Sequence, residues 1–471
     1  MDTPQERAAA MNAGVGSDDR ERGFAPAPGV LEPPDGGVLG ITWLNRDLVW
    51  LFVLRVLRSI SQGYLGIILP LYLVALGYGA VSLGVLLGFS AIAAAGISML
   101  VGVLADRFGR KNCLIAISVM LGGGAVAFAF ASNFTWIVIF AAIGSIGRGG
   151  ALAGGAWGPF YPAVQALVAE RTTDYNRTRV FGAFSFVGVG AAALGTLLAG
   201  LPSVLHRVAA MPELEIYRIL FVFAGVLGFA MAFAVIPVHE DHAAARRAQK
   251  TAASAAAASN TPGLRMGLSP GSWRLIIRFM ITNATNGLAI GMLGPFVVYW
   301  FYRRFGATAA QLAEAFFVLN LVSAIPYLLA GRLALTLGSV RSVVWTRAIS
   351  TVLLFMVVLM PTFVWAVAIY GIRAVFNMLS IPVRQSYLMG VIPPAERSSA
   401  SGFANFPSQV MSAVGPYIAG LFMEHLYLSL PLEFAAAMQA LNTFLYWLFF
   451  RNVLPPEEIE QEADQVGVSR R

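Results

Sequence analysis

The chain has 471 residues, of which 58% are hydrophobic and only 12% charged, whereas an ordinary soluble domain carries roughly 25% charged residues. That balance excludes a cytosolic enzyme, and the formal charge of +8 does not call for nucleic acid, because the arginines lie between apolar segments rather than on one soluble face. The lone cysteine, Cys113, excludes an intramolecular disulfide, a cysteine metal cluster and a CxxC redox motif.

Residues 1–40 are polar and rich in Gly, Pro and Asp, so they read as a disordered tail without the apolar core of a cleaved signal peptide. Insertion is then left to the first membrane helix. A helical crossing takes about 20 mostly apolar residues, since lipid offers the backbone no other hydrogen-bond partners. Six such segments follow: Leu48 to Leu76, Ala80 to Ala105, Cys113 to Phe130, Trp136 to Val168, Val180 to Leu201 and Tyr217 to Val238. After a break, six more run Leu275 to Phe301, Leu312 to Leu337, Val343 to Met360, Phe363 to Val391, Gly402 to Phe422 and Leu432 to Phe450. The division is thus an N-terminal bundle over 41–238, a linker over 239–272 with an Ala/Ser tract and clustered charge, a C-terminal bundle over 273–454, and a disordered tail over 455–471.

Placing alternate loops on one side gathers Arg107, Arg110, Lys111, Arg171, Arg177, Arg179, Arg246, Arg247, Lys250, Arg265, Arg274, Arg332, Arg341 and Arg397 there. The other side keeps Arg207, Arg218, Arg303 and Arg304. By the positive-inside rule the first side is cytoplasmic, and an even helix count leaves both termini inside. The halves also superpose at nearly constant offset: Pro70 on Pro295, Gly102 on Gly331, Gly109 on Gly338, Arg148 on Arg373, Gln165 on Gln385 and Gly182 on Gly402. Six ordered matches argue for an internal duplication, and transporters built from such repeats hold their substrate between the halves near the bilayer midplane.

Between the second and third segments stand Gly102, Asp106, Arg107, Gly109, Arg110 and Lys111. A helix ends there at a glycine turn, with an acid at the membrane surface and three cations after it. This loop resembles the signature of the major facilitator superfamily, and the resemblance of topology covers roughly Trp43 to Phe450. It implies an all-α membrane fold of twelve transmembrane helices in two pseudo-symmetric six-helix bundles, and secondary transport by alternating access. It also implies a cytoplasmic gate latch formed by Asp106 and Arg110, with Glu170 as a third member. The alternative is that the three cations only enforce topology. The second-half copy keeps Gly331 and Gly338 but carries Leu335 in place of the acid, so a latch there is weaker or absent.

Ionisable residues at membrane depth are costly and so are functional candidates. Arg148 and Arg373 lie near the middle of the fourth and tenth segments, helices that line the cavity in the family. Gly149, Gly150, Gly154 and Gly155 after Arg148 resemble the family's arginine-bearing fourth-helix motif, linked to proton transfer in antiporters. Either arginine could instead tie the bundle through backbone carbonyls. On the first helix Arg55, Arg58 and Gln62 form one stripe, from which Arg55 is expected to snorkel to the interface and Gln62 to face the cavity. Asn283 and Asn286 on the seventh helix, and Asn377 one turn from Arg373, complete the candidate substrate site, although asparagine also serves as interhelical glue. With no Asp or Glu at mid-membrane in these helices, the buried positive charge favours an anionic solute held by bidentate contacts.

Glu314 and Glu424 lie near outer helix ends and read as solvated. So does the cluster His239, Glu240, Asp241 and His242, and neither a metal nor a cofactor is expected. Gly182, Gly188, Gly190, Gly195 and Gly200 read as packing residues, and the run from Gly415 to Gly420 as a bend. The absence of a GxxxxGK[ST] loop speaks against an ATP-driven pump. The expectation is a gradient-coupled secondary transporter of a small organic solute, with protons as the coupling ion, working as a monomer in a bacterial inner or plasma membrane. The competing readings are a drug or metabolite efflux antiporter and, from another class, a transporter-like receptor or sensor.

Overall fold

The computed structural model describes residues 44–146, 164, 167–168, 172, 174–239, 270–324, 326, 338–392 and 397–453. Among them every regular element is helical. The first half contains α1 (Arg46–Ala75), α2 (Ala80–Phe108), α3 (Arg110–Phe130), α4 (Phe134–Ile143), α5 (Asp174–Leu197), α6 (Leu201–Ala209) and α7 (Glu213–Val235), with one 3-10 turn, Leu198–Gly200, joining α5 to α6. The second contains α8 (Pro270–Leu293), α9 (Phe296–Phe305), α10 (Ala309–Ala324), α11 (Ser339–Leu359), α12 (Phe363–Val391), α13 (Arg397–His425) and α14 (Leu430–Phe450). Each of the twelve apolar segments holds at least one of these helices, and eight described helices are long and apolar enough to cross a membrane.

Local chemistry sets the boundaries. Asn45 caps α1 by accepting from the Leu48 amide at 2.8 Å, and Asn133 caps α4 through the Thr135 amide at 3.0 Å, which satisfies amides that have no partner within the helix. Gly109 and Gly338 cap α3 and α11 at φ 89° and 78°, a backbone region that disfavours any side chain. Pro70 stays inside a continuous α1, whereas its repeat mate Pro295 follows a break and opens α9.

The duplication is visible in the helix starts. Ala80 and Ala309, Arg110 and Ser339, and Phe134 and Phe363 are each 229 residues apart. The packing repeats as well. In the first half α1 lies on α5 and α7, and α3 on α7; in the second, α8 lies on α13 and α14, and α11 on α14.

The halves meet along two seams, α2 on α13 and α5 on α10. Both seams make contact toward Ala80, the first of them tightly. A Cβ on Gly84 would come within 2.5 Å of the Pro416 carbonyl, one on Gly88 within 2.9 Å of the Ala413 carbonyl, and one on Gly420 within 2.5 Å of the Ala80 carbonyl. On the other seam a Cβ on Gly200 would lie in ordinary contact, 3.5 Å from Ala310 and Ala313 atoms. Toward Gly109 the same faces part. Gly402 and Phe406 lie on the α13 face that carries Ala413, yet Gly402 has open space around it and Phe406 is 65% exposed. Gly182, in the first half of α5, also meets nothing.

The cores repeat this pattern. One apolar cluster spans both halves near the Ala80 end, with Tyr72, Phe128 and Phe221 from the first and Trp300, Phe301 and Tyr370 from the second. At the Gly109 end each half has its own cluster, around Leu51, Leu114 and Val235 in one and Phe279, Tyr387 and Phe450 in the other. Among the described residues, therefore, the halves are in contact at the Ala80 end and stand apart toward the Gly109 end.

Candidate functional site

The buried polar residues at membrane depth belong mostly to α1, α8, α11, α12 and α14. On α12, Arg373, Asn377, Ser380 and Arg384 follow one another at i, i+4, i+7 and i+11, so they share one face. Arg373 is 5% exposed. Its guanidinium carbon lies 5.2 Å from the Tyr370 ring centre, a cation–π distance, and its Nε has no hydrogen-bond partner among the described residues. Asn377 is half-buried, and its carbonyl accepts from Ser380 Oγ at 2.7 Å.

Arg347 on α11 was missed by the sequence reading. It is 3% exposed, and its Nη1 donates to Asn286 Oδ1 at 2.6 Å and to Asn442 Oδ1 at 3.1 Å, while Nε donates to Ser380 Oγ at 3.3 Å. Asn442 in turn donates to the Thr282 carbonyl and to Thr285 Oγ1 at 3.2 Å. One guanidinium thus joins α8, α11, α12 and α14. Arg373 and Arg384 are near enough to act electrostatically on Arg347, and no described carboxylate pairs with any of the three. A buried charge is normally met by an opposite charge or a full set of hydrogen bonds. Here Arg347 has neutral acceptors, while Arg373 Nε and Arg384 Nη1 are left over.

The other expected site residues fall as follows. Asn286 is bound to Arg347, and Asn283 donates to the Ala404 carbonyl of α13 at 2.7 Å. Gln62 and Arg58 are buried on α1, at 5% and 3%. Arg55 departs from expectation: instead of snorkelling it is buried, its guanidinium 5.3 Å from the Phe184 ring centre, and it lies where a Cβ on Gly188 would stand, 2.2 Å from its Nε. The absent side chain of Gly188 makes the room, so an arginine that looked interfacial docks onto α5. Among the other glycines of that helix Gly195 packs on Ile60, but Gly182 and Gly190 meet nothing, so only part of the set packs as expected.

In the loop signature, Gly102, Asp106 and Arg107 fall in the last turns of α2, and their side chains lie outside the described residues. Gly109 makes the turn, and Arg110 and Lys111 open α3. Arg148, with its glycines, and Glu170 lie outside the described residues. Of the linker cluster, His239 is described: it is exposed as expected, with its Nδ1 3.2 Å from Asp47 Oδ1 in the first turn of α1. Glu314 is exposed as expected. Glu424 is exposed too, but it reaches the other half, accepting from the Val81 amide at 2.8 Å.

The described residues thus form two repeated helical bundles that touch at the Ala80 end and hold buried cations. The sequence profile of the Major Facilitator Superfamily matches residues 51–284 and 279–470. The chain belongs to the major facilitator superfamily. As a member it is a multi-pass membrane protein and a transporter of small solutes, and both family and fold are those of transporters. It is 21% identical over 409 residues, 82% of this chain and 89% of the other, to an uncharacterized membrane protein of Saccharomyces cerevisiae. It is 27% identical over 199 residues to the quinolone resistance protein NorA of Staphylococcus aureus, a match covering 42% of this chain and 46% of NorA. Among solved structures, a bacterial homolog of the human lysosomal transporter Spinster, in an inward-facing and occupied conformation, superposes with a TM-score of 0.64 at 16% identity, covering 86% of this chain and 96% of that one. This likeness is one of fold.

Proposed function

We propose that this superfamily member is a gradient-driven secondary transporter that moves a small organic anion by alternating access, with protons as the coupling ion. The observation that carries the reading is Arg373, a buried cation on α12 with an unpartnered Nε and no described carboxylate beside it. Such a group supplies directional donors to a carboxylate or phosphate at a depth where the pairing is least screened. The cleft between the halves supports alternating access, since the Ala80 end is sealed while the Gly109 end is open.

In this reading twelve helices cross the membrane, grouped as 41–238 and 273–454 around a cytoplasmic linker, and both termini are cytoplasmic. The cleft then opens inward, on the arginine-rich side. The chain works as a monomer in a bacterial inner or plasma membrane. Arg148, Gln62, Asn283, Asn286 and Asn377 join Arg373 around the solute, and Asp106, Arg110 and Glu170 latch the Gly109 end when the cleft faces outward.

The test is a thermal-shift screen of purified protein against anionic and cationic metabolites, followed by uptake of the stabilising solute into proteoliposomes with an imposed pH gradient. Anions should stabilise, and Arg373→Ala should abolish both the shift and the flux. Stabilisation confined to cations would reject the anion site. A second reading, efflux of drugs or metabolites by proton antiport, is favoured by the likeness to NorA. It predicts that the stabilising compounds are amphipathic cations and that their flux opposes the proton gradient.

A further inference from the structure

We infer that Glu424 is the gate residue of the Ala80 end: it caps helix α2 from the opposite half and must let go each time that end opens. The inference rests on alternating access as proposed above.

The argument begins at the start of α2. The first intrahelical bond runs from the Leu83 amide to the Gly79 carbonyl at 3.2 Å, so Gly79 is the capping position, with Ala80 and Val81 as the first two helical residues. A capping residue normally supplies a side-chain oxygen to the amide of the second or third helical residue. Glycine has none to supply. The oxygen comes instead from Glu424 at the end of α13, whose Oε2 accepts from the Val81 amide at 2.8 Å. The carboxylate also occupies the place of the missing side chain, because a Cβ on Gly79 would lie 2.6 Å from the same oxygen. Its negative charge faces the positive end of the α2 dipole.

The equivalent helix start in the second half does without this arrangement. At α10, Gln311 Oε1 accepts from the Thr308 amide at 2.9 Å and Thr308 Oγ1 from the Gln311 amide at 3.3 Å, a reciprocal cap within one helix. On the α5–α10 seam, α5 and the 3-10 turn after it pack on α10, and a Cβ on Gly200 would lie 3.5 Å from Ala310 and Ala313 atoms. Both seams bring small residues together, and the α2–α13 seam adds a charged hydrogen bond across the halves. When the halves part at this end, α2 loses its cap and α10 keeps its own.

Two variants separate the latch from general damage. Glu424→Ala removes the cap. Gly79→Ser gives α2 a cap of its own while pushing Glu424 out, and the clash is with the flexible end of a side chain. Spin labels at Val208 and Leu426, 81% and 65% exposed and on opposite halves, in a Cys113→Ala background, report the separation at this end by pulsed dipolar spectroscopy on the purified full-length protein. The population with the long separation should rise about five- to tenfold in both variants, the worth of one cap, and Glu424→Gln, which keeps an acceptor, should shift it less. Unchanged distance distributions in Gly79→Ser and Glu424→Ala would overturn the inference. If the distances shift while solute flux and its KM stay the same, the latch stands and the alternating-access reading fails.

Discussion

The α3–α7 seam in the first half and the α11–α14 seam in the second occupy the same place in the repeat and are filled by opposite means. Helices α3 and α11 are both 21 residues long, and both start at a glycine of positive φ. Ser118 and Arg347 each stand ninth in their helix, and Gly225 and Asn442 each stand thirteenth in the partner helix. In the first half the backbones touch. A Cβ on Gly228 would lie 2.6 Å from Gly122 Cα, one on Gly122 would lie 3.0 Å from the Gly225 carbonyl, and the Ser118 hydroxyl turns back to its own Leu114 carbonyl at 2.7 Å. In the second half Asn442 and Arg347 hold the helices through charged hydrogen bonds. The duplication preserved backbone register and released side-chain chemistry, so that one bundle is closed by dispersion between small residues and the other carries a fixed positive charge at its centre.

Transplanting that charge breaks the comparison most severely. Ser118→Arg would bury a guanidinium against glycine backbone with none of the acceptors that Arg347 has, at a cost of about 3–5 kcal/mol, and it should leave no monodisperse peak in size-exclusion chromatography. A well-behaved Ser118→Arg protein would mean that the first-half seam is not dry. Next comes Arg347→Met, which removes the donor to Asn286 and Asn442 and should lower stability by about 2–3 kcal/mol, read as a fall in Tm. An unchanged Tm would show that the buried charge costs as much as its bonds return. Gly228→Val overpacks the glycine seam and should destabilise by about 1–3 kcal/mol in the same assay; tolerance would require α3 and α7 to separate without loss. The smallest effect belongs to Ser118→Ala. Its hydroxyl serves only its own helix, so the loss should stay below about 1 kcal/mol, and a larger one would reveal an interhelical role for Ser118.

The sequence carried the scaffold because lipid makes the backbone solve its hydrogen bonding locally, which leaves runs of apolar residues punctuated by Asn45, Asn133, Gly109 and Gly338. The repeat was legible for the same reason, since glycine and proline positions constrain backbone directly. Arg347 was not. It stands within the expected segment from Val343 to Met360, but its partners Ser380, Asn286 and Asn442 are 33, 61 and 95 residues away, and no local spacing announces them. Its depth was the available signal: two turns into a 21-residue helix is a long way for an arginine to snorkel. Arg55 was misplaced for want of the same long-range information, in that case about Gly188. Glu424 looked like a surface acid because a carboxylate at a helix end normally meets water, and its target was a glycine cap 345 residues earlier, between Gly77 and Ala80.

The one-sided seam between α2 and α13 also sets a mechanical advantage. Both helices are 29 residues long, which at 1.5 Å per residue makes each a rod of about 43 Å. With the bearing at Gly84 and Gly88, the far end of α2 at Phe108 lies about 30 Å from the pivot. A rotation of about 10° at the bearing then sweeps that end through about 5 Å, comparable to the width of a small solute, while the small residues at the pivot move by a fraction of an atom's diameter. In the alternating-access reading, the glycines that let these helices touch would serve as the fulcrum of a lever whose long arm is the rest of α2.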